Sequence, residues 1–204
     1  MFAKSLVRGN LKTFLIFDTE TSGLILKKRD TNYSHVPHLV QLAWILIDEN
    51  ENILEEQNFI VKPQGFVISQ EVSKIHGITH QMALNKGVDL LEVLSKFSQT
   101  LEQNKPTLIA HNLDFDHLVI RAELWRSKFA DETFVSLDKI CTMKISTEHC
   151  ALPSKNPKRK YKWPSLQELH QKLLAEELTN AHNALVDAKA CLKCFLELLR
   201  LGIV

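Results

Sequence analysis

No run of 18 consecutive apolar residues occurs in the 204-residue sequence, so no membrane-spanning helix is expected. Net charge is nearly absent as well: 25 basic residues face 24 acidic ones, a formal balance of +1. No global field therefore announces a polyanionic partner, although an acidic pit beside a basic rim would give the same sum. Cysteine is scarce. Cys191 and Cys194 form a C-x-x-C inside a strongly helical segment, and Cys141 and Cys150 do not supply the second pair that a structural zinc needs. Reduced, partly buried thiols are expected. The N-terminal MFAKSLVRGN lacks an apolar signal core and a cleavage site, which makes the cytoplasm the expected compartment. Low-complexity tracts and linkers are missing too. What remains is an ordinary globular composition, 45% hydrophobic and 24% charged, read as one domain over residues 1–204.

The most informative stretch is TFLIFDTETSGL, from Thr13 to Leu24. Its first five residues read as a buried strand. Asp18 and Glu20 follow on either side of Thr19, and residues i and i+2 of an extended chain share a face. Two carboxylates placed side by side repel unless a cation sits between them, and hard oxygen ligands suit Mg²⁺ or Mn²⁺. Thr21, Ser22 and Gly23 then read as a turn whose glycine admits close backbone approach. A lone D-x-E is also what many strand ends carry, so the weight falls on its partners downstream.

Strand and helix alternate along the chain. Leu39 to Ile47 is almost wholly apolar and reads as a central strand buried on both faces. Asn52 to Val61 returns antiparallel to it. Helical spacing from Gln70 to Leu84 is broken at His76–Thr79, where Thr79 can cap a new helix. Val88 to Leu101 is amphipathic, with Leu91, Leu94 and Leu101 on its apolar side. Thr107 to Ala110 is a short strand, Leu113 to Ser127 a helix, and Phe134 to Leu137 the fifth strand candidate. Asp138 can cap a short helix to about Ser146. Ser165 and Glu168 match a capping box, and Asn180 to Leu199 reads as the last long helix. The pattern argues a mixed sheet in an α/β or α+β domain.

Two more acidic positions join Asp18 and Glu20. Asp114 and Asp116 lie in the first turn of the helix after TLIA, where the helix dipole favours carboxylates in any case. His182 and Asp187 are five residues apart, which turns a side chain by about 140° on an ideal helix. Both address one site only if His182 lies just before the helix and Asp187 inside it; the alternative is a solvated capping histidine.

Taken in order, D-x-E-T-S-G-L, H-N-x-x-F-D and H-x-A-L-x-D-A resemble the three exonuclease motifs of the DEDDh family. These are the DnaQ-like 3′–5′ exonucleases, related to the proofreading subunit of bacterial DNA polymerase III. Ile75–Thr79 is similar to the family's I-H-G-I-T segment, and Trp163–Leu166 to its W-P-S-L helix start. The resemblance runs from about Thr13 to Leu199. It implies an RNase H-like fold, a five-stranded mixed sheet flanked by helices. It implies two divalent ions, Mg²⁺ or Mn²⁺, held by Asp18, Glu20, Asp116 and Asp187, with His182 as general base. It further implies that Thr21, Gly23, Leu24, His76 and Asn112 hold the substrate, Leu24 as a wedge at the terminal nucleotide. Asp114 has no counterpart and is read as a surface or capping residue.

The implied reaction is hydrolysis of phosphodiester bonds from a 3′ end, releasing nucleoside 5′-monophosphates in replication or repair. Single-stranded or frayed DNA is the favoured partner; the same chemistry on RNA or short oligonucleotides is the alternative, because the motifs are shared. The sequence stops soon after its last helix, so the expectation is either stand-alone action or a DNA polymerase partner that contacts the domain itself. A catalytically silent binding module would lack an acid or the histidine, and none is missing. Two basic stretches complete the reading. Lys155, Lys158, Arg159, Lys160 and Lys162 surround Tyr161 and Trp163, either as a phosphate-contacting loop or as a solvated loop with Trp163 tucked under the next helix. Lys27, Lys28 and Arg29 lie in an unusually long excursion between the first two strands.

Overall fold

The structure, a computed structural model, describes residues 12–25, 32–179 and 181–204. The lead-in and the excursion's Lys27, Lys28 and Arg29 fall outside these residues. β1 (Thr13–Thr21), β2 (Leu39–Asp48) and β3 (Ile53–Ile60) form an antiparallel meander. α1 (Gln70–His76), α2 (His80–Lys86) and α3 (Leu90–Asn104) lead to β4 (Thr107–Ala110), which returns parallel to β1. α4 (Leu113–Arg126) and α5 (Glu132–Ser136) precede β5 (Lys139–Cys141), parallel to β4. Short α6 (Thr142–Ile145) and α7 (Thr147–Cys150), then α8 (Leu166–Leu174) and α9 (Ala184–Arg200), complete the chain. Among the described residues the sheet has five strands in the order β3-β2-β1-β4-β5. The expected five-stranded mixed sheet with flanking helices is therefore present, and β1 is its centre.

β1 sorts its residues by face. Leu15 and Phe17 enter one core with Trp44 of β2, Val93, Leu94 and Phe97 of α3, and Val119 and Ile120 of α4. Phe14 and Ile16 enter the opposite core with Ile45, Ile47 and Ile109 and with Ala188, Cys191 and Phe195 of α9. The period of two extends this sorting: Asp18 and Glu20 continue the α9 face, and Thr19 the α4 face. All ten residues of β2 are buried, as a strand covered on both sides requires.

Several local expectations are corrected. Residues 134–137 are not a strand. They end α5, where Phe134 is buried and packs edge-on against Phe17 and Phe97. A four-residue apolar run does not distinguish a strand from a helical turn, and aromatic packing decided it. The fifth strand is Lys139–Cys141, and Asp138 caps no helix; its carbonyl accepts from Leu108 N–H beside the β4 ladder. α3 starts later than expected, capped by Asp89, and buries Val93, Leu94, Phe97 and Leu101, whereas Leu91 is exposed. α9 begins at Ala184 with Asn183 as its cap. β1 continues through Thr21, so Asp18 and Glu20 lie on the strand itself.

Thr79 caps α2 as expected, and Gly87 ends it. A β-carbon at Gly87 would stand 2.3 Å from Ala83 O and 2.6 Å from Lys62 N, so glycine alone fits there. That close approach lets Val88 pair with Val61 beyond β3, and Met82 and Ala83 of α2 pack with Val40 of β2 and Ile60 of β3.

Candidate active site

β4 ends at Ala110, level with the residue of β1 just before Asp18, and the N-termini of α4 and α9 open toward the same edge. Ligands of open α/β sheets commonly bind at such an edge. Asp116, in the first turn of α4, is 3% exposed, and its Oδ1 accepts from Thr19 N–H (3.0 Å) and from the Thr19 hydroxyl (2.7 Å). Thr19, facing α4, therefore brings Asp116 to the strand that carries Asp18 and Glu20. From the other face, Asp187 in the first turn of α9 is 9% exposed and accepts from His182 N–H at 2.8 Å. Glu20, His182 and Asp187 each offer a ligand atom within 4.8 Å of the others. Asp18, Asp187 and His182 also line a cavity of about 250 Å³ with His111, Ser165, Leu166 and Gln167.

The acids destabilise one another's charge. Burial raises Asp18 well above the carboxylate range, and Asp116, Asp187 and Glu20 raise it further. Glu20 is pushed up to about 8 by burial and by the charges of Asp187 and Asp116. Asp116 is raised to about 7 by burial, against the opposing hydrogen bonds from Thr19. Asp187 is raised by burial too, although the His182 amide moderates the effect. A hard divalent cation among these oxygens would remove that penalty, so the donor set fits one.

His182 is exposed, has a left-handed backbone (φ 69°) and precedes the Asn183 cap, the geometry that lets a histidine and Asp187 share a site. The side chains named for substrate spread around the acids. The Thr21 hydroxyl donates to Gly23 O (2.7 Å), and Ser22 exchanges hydrogen bonds with His38. This tight turn presents Leu24 with 83% of its surface exposed. Gly23 has open space around its missing side chain. His76 is buried; its Nδ1 accepts from Ile78 N–H, which makes Nε2 the donor, beside the Thr21 backbone. Its pKa is lowered, chiefly by burial and also by nearby His182. Asn112 is left-handed (φ 64°) and makes no side-chain cap bond. Asp114 is exposed and pairs with Lys144, away from the acids' mutual contacts.

Residues 15–195 match the RNase_T family model, described as Exonuclease. This chain belongs to that exonuclease family. The DnaQ-like resemblance and the reading as a nuclease, a hydrolase, are thereby borne out. The exonuclease is 28% identical over 132 residues to the PolC-type DNA polymerase III of Mycoplasmopsis pulmonis (strain UAB CTIP), covering 65% of this chain and 8% of that one. Its fold is similar to E. coli exonuclease I in complex with a dT13 oligonucleotide, with a TM-score of 0.73 and 22% identity over 93% of this chain and 41% of that one. The complex of that enzyme with dA16 gives 0.73 and 20% over the same shares. The chain thus spans a small part of its polymerase relative and about two fifths of exonuclease I, and these structural likenesses are likenesses of fold. No helix among the exonuclease's described residues is long and apolar enough to cross a membrane.

Two residues that hold the site escape a motif reading. Thr19 reads in the motif as the spacer of D-x-E, yet it is what holds Asp116. Gln41 sits opposite Glu20 in the β1–β2 ladder and is 2% exposed. Its Oε1 accepts from Ala184 N–H (3.1 Å) and its Nε2 donates to Asn58 Oδ1 (2.8 Å). Gln41 therefore joins the sheet to the first residue of α9, two positions after His182. The signal was present as a single polar residue in the apolar run LVQLAWILI, since a buried amide must find partners.

Proposed function

We propose that this exonuclease hydrolyses phosphodiester bonds from the 3′ end of single-stranded or frayed DNA and releases nucleoside 5′-monophosphates. The observation that carries the reading is the convergence of Asp18, Glu20, Asp116 and Asp187 at one sheet edge, with an exposed histidine beside them. These four carboxylates would hold two divalent ions, Mg²⁺ or Mn²⁺. When bound, such ions supply charge neutralisation on the phosphoryl oxygens and a water acidic enough to ionise near neutral pH. His182 takes the proton from the attacking water; its ring is exposed and close to both Glu20 and Asp187. Thr19 and the His182 amide orient Asp116 and Asp187 before substrate arrives. Leu24, held out by the Thr21–Gly23 turn, would offer an apolar edge to the terminal base, the Asn112 turn would flank the nucleotide, and buried His76 would support Thr21 from behind. DNA is favoured over RNA because the similar fold of exonuclease I is seen with dT13 and dA16. A polymerase partner is suggested by the PolC-type relative.

A 5′-labelled dT20 incubated with Mg²⁺ tests the reading, with rU20 alongside. Stepwise shortening from the 3′ end with release of dTMP is expected. Cleavage of a circular single strand, or release of inorganic phosphate instead of dTMP, would overturn it. Faster shortening of rU20 would move the activity to RNA.

A further inference from the structure

We infer that the loop 152–164 is a second nucleic-acid contact, which grips the phosphates of a single strand a few nucleotides upstream of the reacting one. Five cations and no acid fall within residues 154–163: Lys155, Lys158, Arg159, Lys160 and Lys162. A fifth of the chain's basic residues is thus packed into ten positions. The remaining 20 basic and 24 acidic residues leave the rest of the molecule net negative. An acidic pit in a negative body repels a polyanion, so a substrate strand needs a positive surface close by to approach it.

The loop is built to be that surface. Lys162 N–H donates to Leu152 O, and Pro153 bridges Tyr161, so its two limbs are paired. Asn156 caps the tip, accepting from Lys158 N–H and Arg159 N–H. Lys155, Lys158, Arg159 and Lys160 are exposed. Two of the charges are held over aromatic rings: the Arg159 guanidinium lies 4.4 Å from the centroid of Trp163, and Lys160 Nζ 4.9 Å from that of Tyr161. Trp163 is 45% exposed, not tucked beneath α8. Lys162 is the cation tied to an acid, Glu168, which anchors the base of the loop to α8.

The loop is also attached at the pit. Pro164 O accepts from His111 Nε2–H (3.0 Å), and the next residue, Ser165, lines the cavity that holds Asp18, His182 and Asp187. Four Cα steps lead from Lys160 to Pro164, a span of at most about 14 Å. A strand with its reacting phosphate at Asp18 brings its next few phosphates within that range. The inference rests on the proposed exonuclease function only for that placement. Contacts of this kind are the same before and during reaction, so they lower KM without raising kcat.

The test compares wild type with the triple variant Lys158→Ala, Arg159→Ala, Lys160→Ala. Binding of 5′-fluorescein-dT20 is followed by anisotropy in EDTA from 50 to 300 mM KCl. Hydrolysis of dT20 and of the dinucleotide dTpdT is followed in Mg²⁺. Three lost phosphate contacts should shrink the slope of log affinity against log salt by about 2 and weaken binding about tenfold near 0.1 M salt. KM for dT20 should rise in step, with kcat and dTpdT hydrolysis within about twofold of wild type. Lys158→Arg with Lys160→Arg should keep the wild-type slope. An unchanged slope and affinity in the triple variant would overturn the inference and leave the charges to an acidic protein surface. Equal losses on dT20 and dTpdT would overturn it as well, because the loop would then be supporting the pit. The binding arm needs no turnover: a wild-type protein that binds dT20 through this loop yet cuts nothing upholds the loop and sinks the exonuclease reading.

Discussion

His-Asn-x-x-x-Asp occurs twice in this chain, at His111–Asp116 and at His182–Asp187. Both copies open a helix, and both place the aspartate at its fourth residue, pointing into the same pit. The histidines have opposite fates. His111 is enclosed: its Nδ1 lies 3.1 Å from the Thr142 hydroxyl and its Nε2–H donates to Pro164 O. Burial lowers its pKa to about 4, so the ring stays neutral. His182 keeps an exposed ring beside Glu20 and Asp187. The backbone differs by one position. In the first copy the left-handed residue is Asn112, which then caps nothing with its side chain. In the second it is His182, which frees Asn183 to accept from Leu185 N–H and Val186 N–H. The comparison teaches that the aspartate's job is written locally, by helix position, whereas the histidine's job depends on what closes over it.

The largest expected effect treats the copies alike. Asp116→Asn and Asp187→Asn, and equally Asp18→Asn, should each lower dT20 hydrolysis more than about 10³-fold, since each removes a charge the metal site needs. The metal-free variants should melt no lower than wild type, because each loses a repelling carboxylate. Activity within tenfold of wild type at saturating Mg²⁺ in any of them would remove that residue from the site.

Next, the histidines should separate. His182→Ala should cost about 10²–10⁴-fold in kcat, the range for a lost general base, with little change in melting temperature. His111→Ala should instead cost about 1–3 kcal/mol in stability, as two buried partners lose their bonds. Urea unfolding and pH–rate curves on both variants would show whether the asymmetry is real.

Gln41 hooks the second copy to the sheet through Ala184 N–H. Gln41→Leu should lower kcat about tenfold while leaving KM nearly unchanged, at a stability cost of about 1–3 kcal/mol for the stranded donor. Gln41→Glu keeps an acceptor for that amide and should recover part of the rate. A KM effect in place of a kcat effect would mean that Gln41 serves substrate binding.

The acids that the copies share predict the pH behaviour of the metal-free protein. Asp18, Glu20, Asp116 and Asp187 all have folded pKa values above the ordinary carboxylate range, so the folded state holds protons that the unfolded state gives up. Stability from that source is full below about pH 4 and is lost as pH rises through about 7 for Asp116 and about 8 for Glu20. Melting in EDTA should therefore fall between pH 7 and 8, above the ordinary histidine value near 6.5, so that the lowered pKa values of His111, His117 and His76 add little to the slope. Mg²⁺ should flatten the curve. A metal-free melting temperature that rises across this window would contradict the repulsive pit.

The smallest effect lies at the caps. Asn183→Ala should cost about 1 kcal/mol, whereas Asn112→Gly should be nearly neutral, because glycine suits φ 64° and no cap bond is lost. Equal costs in urea titrations would erase the difference between the copies.

Local chemistry in the sequence determined a great deal here. Alternation in TFLIFDTE put Asp18 and Glu20 on one face of a central strand, and LVQLAWILI, apolar but for Gln41, made its neighbour a strand buried on both sides. Thr79 and the Ser165–Glu168 capping box set helix starts, because a cap is a hydrogen bond between residues two or three apart. The tertiary structure decided what depends on distant partners. It made Phe134–Ser136 the end of a helix by packing Phe134 against Phe17 and Phe97, and it placed the edge strand at Lys139–Cys141 by pairing with β4. It recruited Thr19 and Gln41 to hold Asp116 and Ala184, 97 and 143 positions away. It also separated His111 from His182, whose immediate sequences are the same, because Thr142 and Pro164 enclose one ring and leave the other in solvent.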